Sequence, residues 1–227
     1  MPRLIARELM DDDTTSGEAV WRGSLRDLAR VNSLLGGRHL QRCEIDRLDP
    51  LPRRILDVAT GGADIPVFMI EHLRSKGVAA TCVAVDRSPR VLSIANESLA
   101  LRPDVQLVAA DATDLPFADG SFDLATIVLA LHHFDGEAAV TVLRELARVA
   151  RSVIVNDLRR SRIAWAFARV VFPLFTNNPF TLVDGPTSVL RAYTPQEARE
   201  LARAAGWTSI AVRKYPGYRM ALVGGAA

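Results

Sequence analysis

From residue 53 onward, short β-branched apolar runs alternate with amphipathic helical stretches, and this alternation limits the fold more than any other feature of the chain. The runs at residues 54–59, 78–85, 105–110, 122–131 and 152–155 have the length and continuity of strands covered on both faces. Helix starts lie between them: Asp64 ahead of Pro66, Ser88 ahead of Pro89, Asp135 ahead of residues 136–150 and Ser161 ahead of residues 162–171. Gly77 and Pro103 supply stops, and Thr194-Pro195-Gln196-Glu197 forms a capping box opening a helix that ends near Gly206. Two strand-like runs at 207–214 and 218–223, split by Pro216-Gly217, predict a terminal antiparallel hairpin. The fold class is therefore α/β: a doubly wound, mostly parallel seven-stranded sheet ending in that hairpin.

Ahead of the sheet, Trp21, Leu25, Leu28, Asn32 and Leu35 share one helical face, Gly36-Gly37 breaks the helix, and a second short helix follows. Residues 1–50 are thus expected to form an N-terminal helical cap on a domain spanning 51–227. Residues 176–193 are too long for a simple connection and suggest an insert or lid.

Composition narrows the function. With 28 Lys+Arg against 26 Asp+Glu the net charge is only +2, which provides no basic stripe for tracking nucleic acid. Cys43 and Cys82 have no CxxC partners, so neither a disulfide scaffold nor a zinc knuckle is expected. The longest apolar stretch, 163–175, is broken by Arg169 and Pro173 and is too short to span a membrane; the N-terminus carries acidic residues where a secretory signal needs its apolar core. The expectation is a cytoplasmic protein without a membrane span, a monomer or homodimer.

In a doubly wound sheet the ligand crevice lies beyond the carboxyl ends of the strands. Here the apolar runs open into Thr60-Gly61-Gly62-Ala63-Asp64, Asp86, Asp111, His132-His133 and Asn156-Asp157. Turn chemistry alone explains any one of these ends. Five converging on one rim indicate a small-molecule crevice. Adjacent histidines on an extended strand end point to opposite faces and chelate poorly, so no metal is expected. The dinucleotide fingerprint G-x-G-x-x-G and the Walker spacing are both absent, which disfavours a nicotinamide oxidoreductase.

The segment Asp57-Val58-Ala59-Thr60-Gly61-Gly62-Ala63-Asp64 resembles motif I of the class I S-adenosylmethionine-dependent methyltransferases, with alanine at two of the three usual glycines. Val83-Ala84-Val85-Asp86 resembles the family's second strand, Ala109-Ala110-Asp111-Ala112 its adenine turn, and residues 122–134 its fourth strand. The likeness covers roughly three-quarters of the chain, and the terminal hairpin fits the same fold. It implies S-adenosylmethionine as cofactor and S-adenosylhomocysteine as product. Asp86 would anchor the ribose, with Arg87 beside it; Asp111 and Ala112 would hold adenine. The glycine-rich turn with Ala59, Thr60 and Gly61 would hold the methionine moiety, and Leu129 is a further cofactor-side residue. Asp57 either meets the amino end or stabilises the loop amides, and Asp64 assists.

Methyl transfer from a sulfonium is an in-line displacement that needs an aligned nucleophile and, for an oxygen nucleophile, loss of a proton. Imidazole suits that task, so His132 and His133 are the candidate bases, with strand alternation favouring His132. Trp21, Asn32, Asn156, Asp157, Asp184, Arg191 and Tyr193 are candidates for the acceptor side. Within the family, the chain resembles the small-molecule enzymes of quinone and aromatic-polyketide tailoring. The expected activity is methylation of a small hydroxylated, aromatic or polyketide-like acceptor; the alternatives are C-methylation of a quinol-type ring and a non-catalytic S-adenosylmethionine-binding protein.

Overall fold

The computed structural model describes residues 1–6, 8–11, 17–216 and 218–225. Two N-terminal helices, α1 (Glu18–Leu34) and α2 (Gly37–Ile45), precede β1 (Arg54–Val58), α3 (Asp64–Ser75), β2 (Thr81–Asp86), α4 (Pro89–Ser98) and β3 (Val105–Ala109). Then come β4 (Phe122–Val128), α5 (Glu137–Val149), β5 (Ala150–Leu158), α6 (Arg162–Phe175), α7 (Pro179–Arg191), α8 (Pro195–Ala204), β6 (Ser209–Tyr215) and β7 (Arg219–Gly225). The sheet order is β3-β2-β1-β4-β5-β7-β6. The first five strands are parallel and β7 is antiparallel to both β5 and β6, the expected architecture. Gly217 of the hairpin turn lies outside the described residues.

Alternation along each strand divides the core. On β1 and β4, Ile55 and Leu124 pack with Met69, Ile70 and Leu73 of α3, while Leu56 and Ala125 face Leu143 and Leu146 of α5. The register Ile55↔Leu124 and Leu56↔Ala125 keeps like-facing residues level across the two strands. The helix starts follow local chemistry. Ser88 and Ser161 cap α4 and α6 by accepting from Val91 N and Ala164 N, and Thr194 with Glu197 closes the capping box of α8.

Three expectations change. The cap of α5 is Gly136 rather than Asp135, whose carboxylate instead pairs with Arg3. Residues 129–133 leave the strand: Leu129 has φ 52° and residues Leu131–His133 form a 3-10 turn. The stretch at 176–193 is mostly α7, capped by Asn178, whose side chain accepts from Phe180 N and Thr181 N. Asn178-Pro179 supplies the start, and the later Gly185 and Pro186 obscure it as a helix in the sequence.

Arg219, at the start of β7, ties the N-terminal helices to the sheet from a fully buried position. Its guanidinium donates to Leu35 O at 3.1 Å, Asn156 Oδ1 at 3.0 Å and Asn32 Oδ1 at 3.0 Å. Gly37 permits this approach, because a Cβ there would sit 2.7 Å from Asn32 Oδ1 and 2.9 Å from Arg219 Cζ. Among the described residues no helix is long and apolar enough to cross a membrane.

Candidate active site

The carboxyl ends of β1, β2, β3 and β4 open into one cavity of about 940 Å³, closed over by α1, α6, α7 and the N-terminal residues Ile5, Ala6, Glu8, Met10 and Asp11. At one end the chain leaves β1 through Ala59 at φ 56°, Gly61 at φ 55° and Ala63 at φ 60°. These left-handed residues turn the backbone back so that Thr60 N donates to Val85 O and Gly61 N to Asp86 Oδ2. Asp86 also accepts from Ser88 N through Oδ1 at 3.0 Å, so one carboxylate orders both the glycine-rich turn and the start of α4. Asp111 is fixed likewise: Thr113 N and Thr113 Oγ1 donate to it, holding its carboxyl below the usual range.

Beneath the turn, Asp57 is buried, and its Oδ1 and the Thr60 hydroxyl make no hydrogen bond among the described residues. Burial, reinforced by the charges of Asp64 and Asp86, pushes the Asp57 carboxyl up to about 8, against the pull of the nearby Thr60 hydroxyl. Asp64 is raised by burial too, although Asn32 donates to both its oxygens at 3.3 and 3.4 Å and Arg38 lies 3.6 Å away. Asn32 thereby joins α1 to the turn.

The other end is built around the 3-10 turn. His132 is buried, its N–H donating to Asp157 Oδ2 at 3.0 Å and its Nδ1 lying 2.7 Å from Asp157 Oδ1. Burial opposes ionisation of Asp157, but the His132 ring and the amides of Leu158 and His132 hold its carboxyl below the usual range. A carboxylate can only accept, so Nδ1 carries a proton, and in the neutral ring the lone pair then belongs to Nε2. His133 repeats the arrangement with Asp11, Nδ1 to Oδ1 at 2.7 Å. Burial raises the Asp11 carboxyl, yet the His133 hydrogen bond and charge, Glu8 N and Arg191 hold it far down.

Asp11 and Glu8 belong to an N-terminal strap pinned across the cavity. Leu9 N and Met10 N donate to Asp184 at 2.8 and 3.2 Å, and Arg191 Nη1 to Asp11 at 2.8 Å. Arg3 reaches the carbonyls of Arg191, His132 and Phe134. Glu8, 5% exposed, faces both histidines; burial pushes its carboxyl up to about 7 against His133, the Ser188 hydroxyl and Arg191.

Of the residues singled out in the sequence, Asp57, Ala59, Thr60, Gly61, Asp64, Asp86, Arg87, Asp111, Ala112 and Leu129 all line the cavity, as do Trp21, Asn32, His132, His133, Asp184 and Arg191. Three substrate-side candidates do not. Asn156 is fully buried behind the wall, donating to Gly37 O at 2.9 Å, and Asp157 lies behind His132. Tyr193 donates to Phe134 O at 2.6 Å beneath the Arg3 guanidinium. The opposed-face expectation for the histidine pair also changes. In the 3-10 turn the two rings lie side by side, centroids 4.5 Å apart and tilted by 32°, because successive residues there are not in the pleat of a strand.

Known proteins resemble this chain in sequence and in fold. Residues 55–152 match a family described as a methyltransferase domain. A demethylmenaquinone methyltransferase of Mycobacterium marinum is 30% identical over 241 aligned positions, covering 97% of this chain and 97% of that one. The chain belongs to the class I S-adenosylmethionine-dependent methyltransferases. A second demethylmenaquinone methyltransferase, from Thermus thermophilus, is 38% identical over 112 residues, which is 48% of this chain and about half, 49%, of that relative. The structure of human N-acetylserotonin methyltransferase in complex with S-adenosylmethionine superposes with a TM-score of 0.71 at 14% identity, covering 99% of this chain and 60% of that one.

The residues of this methyltransferase fit its cofactor. The buried, unpartnered Asp57 oxygen and Thr60 hydroxyl are suited to an ammonium group, and Asp86 and Asp111 bring to the same cavity carboxylates of the kind that accept from hydroxyls and amines. The strap residues Glu8, Asp11 and Arg3 went unnoticed in the sequence of the methyltransferase. They lie in a short segment of mixed apolar and charged residues without periodicity, more than 120 positions from the side chains they pair with across the fold.

Proposed function

We propose that this methyltransferase acts on a small hydroxylated aromatic acceptor of quinol type and transfers the methyl group to a ring carbon. The observation that carries the reading is the His132–Asp157 pair at the far end of the cavity, with Nδ1 locked 2.7 Å from the carboxylate. The two full and partial relatives described above, both named demethylmenaquinone methyltransferases, support the quinol as acceptor.

When bound, S-adenosylmethionine supplies an electrophilic methyl on a sulfonium. Asp57 and Thr60 would receive the amino end, and Asp86 and Asp111 the nucleoside. The side chains of Leu28, Ala168, Val171, Phe172 and Val189 form an apolar wall for an aromatic ring. His132, oriented by Asp157, accepts the proton of the acceptor hydroxyl at Nε2. The electron density released into the ring makes the carbon beside that hydroxyl the nucleophile; once the methyl bond has formed, the ring C–H proton passes to solvent and His132 returns its proton to the quinol oxygen, which restores the aromatic ring. Arg191 and Arg3 hold the His132–Phe134 backbone in place through its carbonyls, so the base is positioned before the acceptor enters.

The test is turnover with S-adenosylmethionine and a 1,4-naphthoquinol lacking a methyl at the free ring position, with the product examined by mass spectrometry and NMR. A new C–CH3 group supports the reading. A methyl found only on oxygen overturns the carbon assignment and restores O-methylation of a phenol; no transfer to any hydroxylated aromatic, in protein that binds the cofactor, overturns the acceptor class.

A further inference from the structure

We propose that Glu8, His132 and His133 form a divalent-cation site of zinc type, opening onto the acceptor end of the cavity. The inference concerns ligation by these three side chains and does not depend on which acceptor the enzyme methylates.

Geometry comes first. Glu8 Oε1 lies 3.7 Å from His132 Nε2, and Glu8 Oε2 lies 3.7 Å from His133 Nε2. One ligand atom from each residue falls within 4.8 Å of the other two. Two ligands about 2.1 Å from a tetrahedral zinc stand about 3.4 Å apart, so only small side-chain shifts separate this arrangement from a coordinating one.

The second observation is a deficit of donors. Both Nδ1 atoms are committed to carboxylates, at 2.7 Å from Asp157 and 2.7 Å from Asp11. Each Nε2 lies 3.7 Å from a Glu8 oxygen, and the buried Glu8 Oε1 makes no hydrogen bond among the described residues. With both rings neutral and Glu8 ionised, the three ligand atoms turn lone pairs toward one another, an arrangement that a divalent cation satisfies. The carboxylate–histidine pairs are also the outer-shell arrangement that orients imidazoles on a metal.

Charge points the same way. Glu8, Asp11, Asp157 and Asp184 bring four carboxylates to this end of the cavity. Arg191 Nη1 lies 2.8 Å from Asp11 Oδ2 and 3.5 Å from Glu8 Oε1, and Arg87 donates to the Asp11 carbonyl at 3.2 Å. Ser188 donates to Glu8 Oε2 at 2.9 Å and fixes the carboxylate in place. Glu8, His132 and His133 all line the cavity, so a three-ligand site keeps a coordination position open to an incoming hydroxyl oxygen. Cation binding and proton uptake compete for the same Nε2 atoms, so a metal titration also distinguishes two ways of activating that hydroxyl.

The experiment titrates chelator-stripped protein with Co2+, followed by visible absorption, and with Zn2+ in competition with a chromophoric chelator. The Cys43→Ser variant is the background, because Cys43 and His39 form a separate surface pair on α2. The expected result is one equivalent bound with a dissociation constant of about 10 μM or tighter. Affinity should fall by about 100-fold in His133→Ala and Glu8→Gln, and by about 10-fold in Asp11→Asn, which removes an outer-shell carboxylate charge. Retained S-adenosylmethionine binding certifies that each variant is folded. Binding weaker than about 1 mM, or binding of equal strength in all variants, overturns the site. The readout is metal occupancy, so its failure leaves the methyl-transfer reading standing, and failed methylation leaves the titration interpretable.

Discussion

The two ends of the cavity are assembled over very different distances along the chain. At the cofactor end, Asp57, Thr60, Gly61 and Asp86 lie within 30 positions of one another, each at the close of a strand, and the contact that organises them, Gly61 N to Asp86, spans 25 residues. At the acceptor end, Asp11 meets His133 across 122 positions, Leu9 meets Asp184 across 175 and Asp11 meets Arg191 across 180. The first end is a property of the βαβ unit, whose geometry any sequence of that pattern inherits. The second end exists only once α7 and the N-terminal strap have docked on the finished sheet. One consequence is that the two ends should be separable by mutation.

The largest separation is expected from Asp157→Asn. Asp157 touches neither the cavity nor the glycine-rich turn, yet it sets the His132 tautomer. An asparagine can donate to Nδ1 and turn the ring's lone pair away from the cavity. Methyl transfer should fall by about 10²–10⁴-fold, while S-adenosylmethionine affinity, measured by calorimetry, stays within about twofold. Equal losses in both would mean that the two ends form one unit.

This contrast also explains what the sequence revealed. The seven strands, the capping box of α8 and the strand-end residues that line the cavity were legible because buried parallel strands read as apolar runs and their polar ends stand next to them in sequence. His132 and His133 were legible as residues but not as a pair on one side, because the switch from strand to 3-10 turn at Leu129 leaves no periodic trace. Arg191 was visible as a candidate, whereas Glu8 and Asp11 were not; a short segment of mixed residues has no pattern from which a contact across the whole fold can be read. Asn156 looked like a site residue from its place at a strand end. The structure assigns that position to anchoring α2 and Arg219, since the antiparallel β7 covers the end of β5.

The converse test breaks the cofactor end. Asp86→Ala removes the carboxylate that orders Gly61 and Ser88 and that faces the expected ribose. Loss of charged hydrogen bonds of about 1.5–3 kcal/mol each predicts about 100-fold weaker S-adenosylmethionine binding by calorimetry. Co2+ uptake at the acceptor end should change by less than about threefold. Coupled loss of both would show that the cavity is ordered as a whole.

A smaller and pH-dependent effect is expected at Asp57. Its folded carboxyl lies at about 8, above the ordinary 3.8, so the folded protein without ligand holds a proton that the unfolded chain releases. By linkage its contribution lowers stability as pH rises from about 4 to about 8 and is level above that range. An ammonium group placed beside it favours the ionised form, so cofactor binding should release a proton and tighten by up to about tenfold per pH unit below pH 8. Calorimetry at pH 6.5, 7.5 and 8.5, in buffers of different ionisation enthalpy, measures both effects. Asp57→Asn should abolish the buffer dependence, and a wild type showing none would remove Asp57 from the amino end.

The smallest effect sharpens the comparison inside the turn itself. Ala59 holds φ 56° where the family pattern has glycine, a conformation that costs an L-residue with a Cβ about 1–2 kcal/mol. Ala59→Gly relieves that strain but gives the unfolded chain back about 0.4–1 kcal/mol of conformational freedom and removes a methyl packed against the Leu56–Val58 cluster. These terms nearly cancel, so thermal unfolding should shift by no more than a few degrees in either direction. Cofactor affinity should hold within about twofold, because the turn is held by Asp86 and the Thr60 N to Val85 O bond rather than by the φ preference of residue 59. A tenfold gain in affinity would show instead that alanine at this position keeps the turn from its cofactor-bound shape.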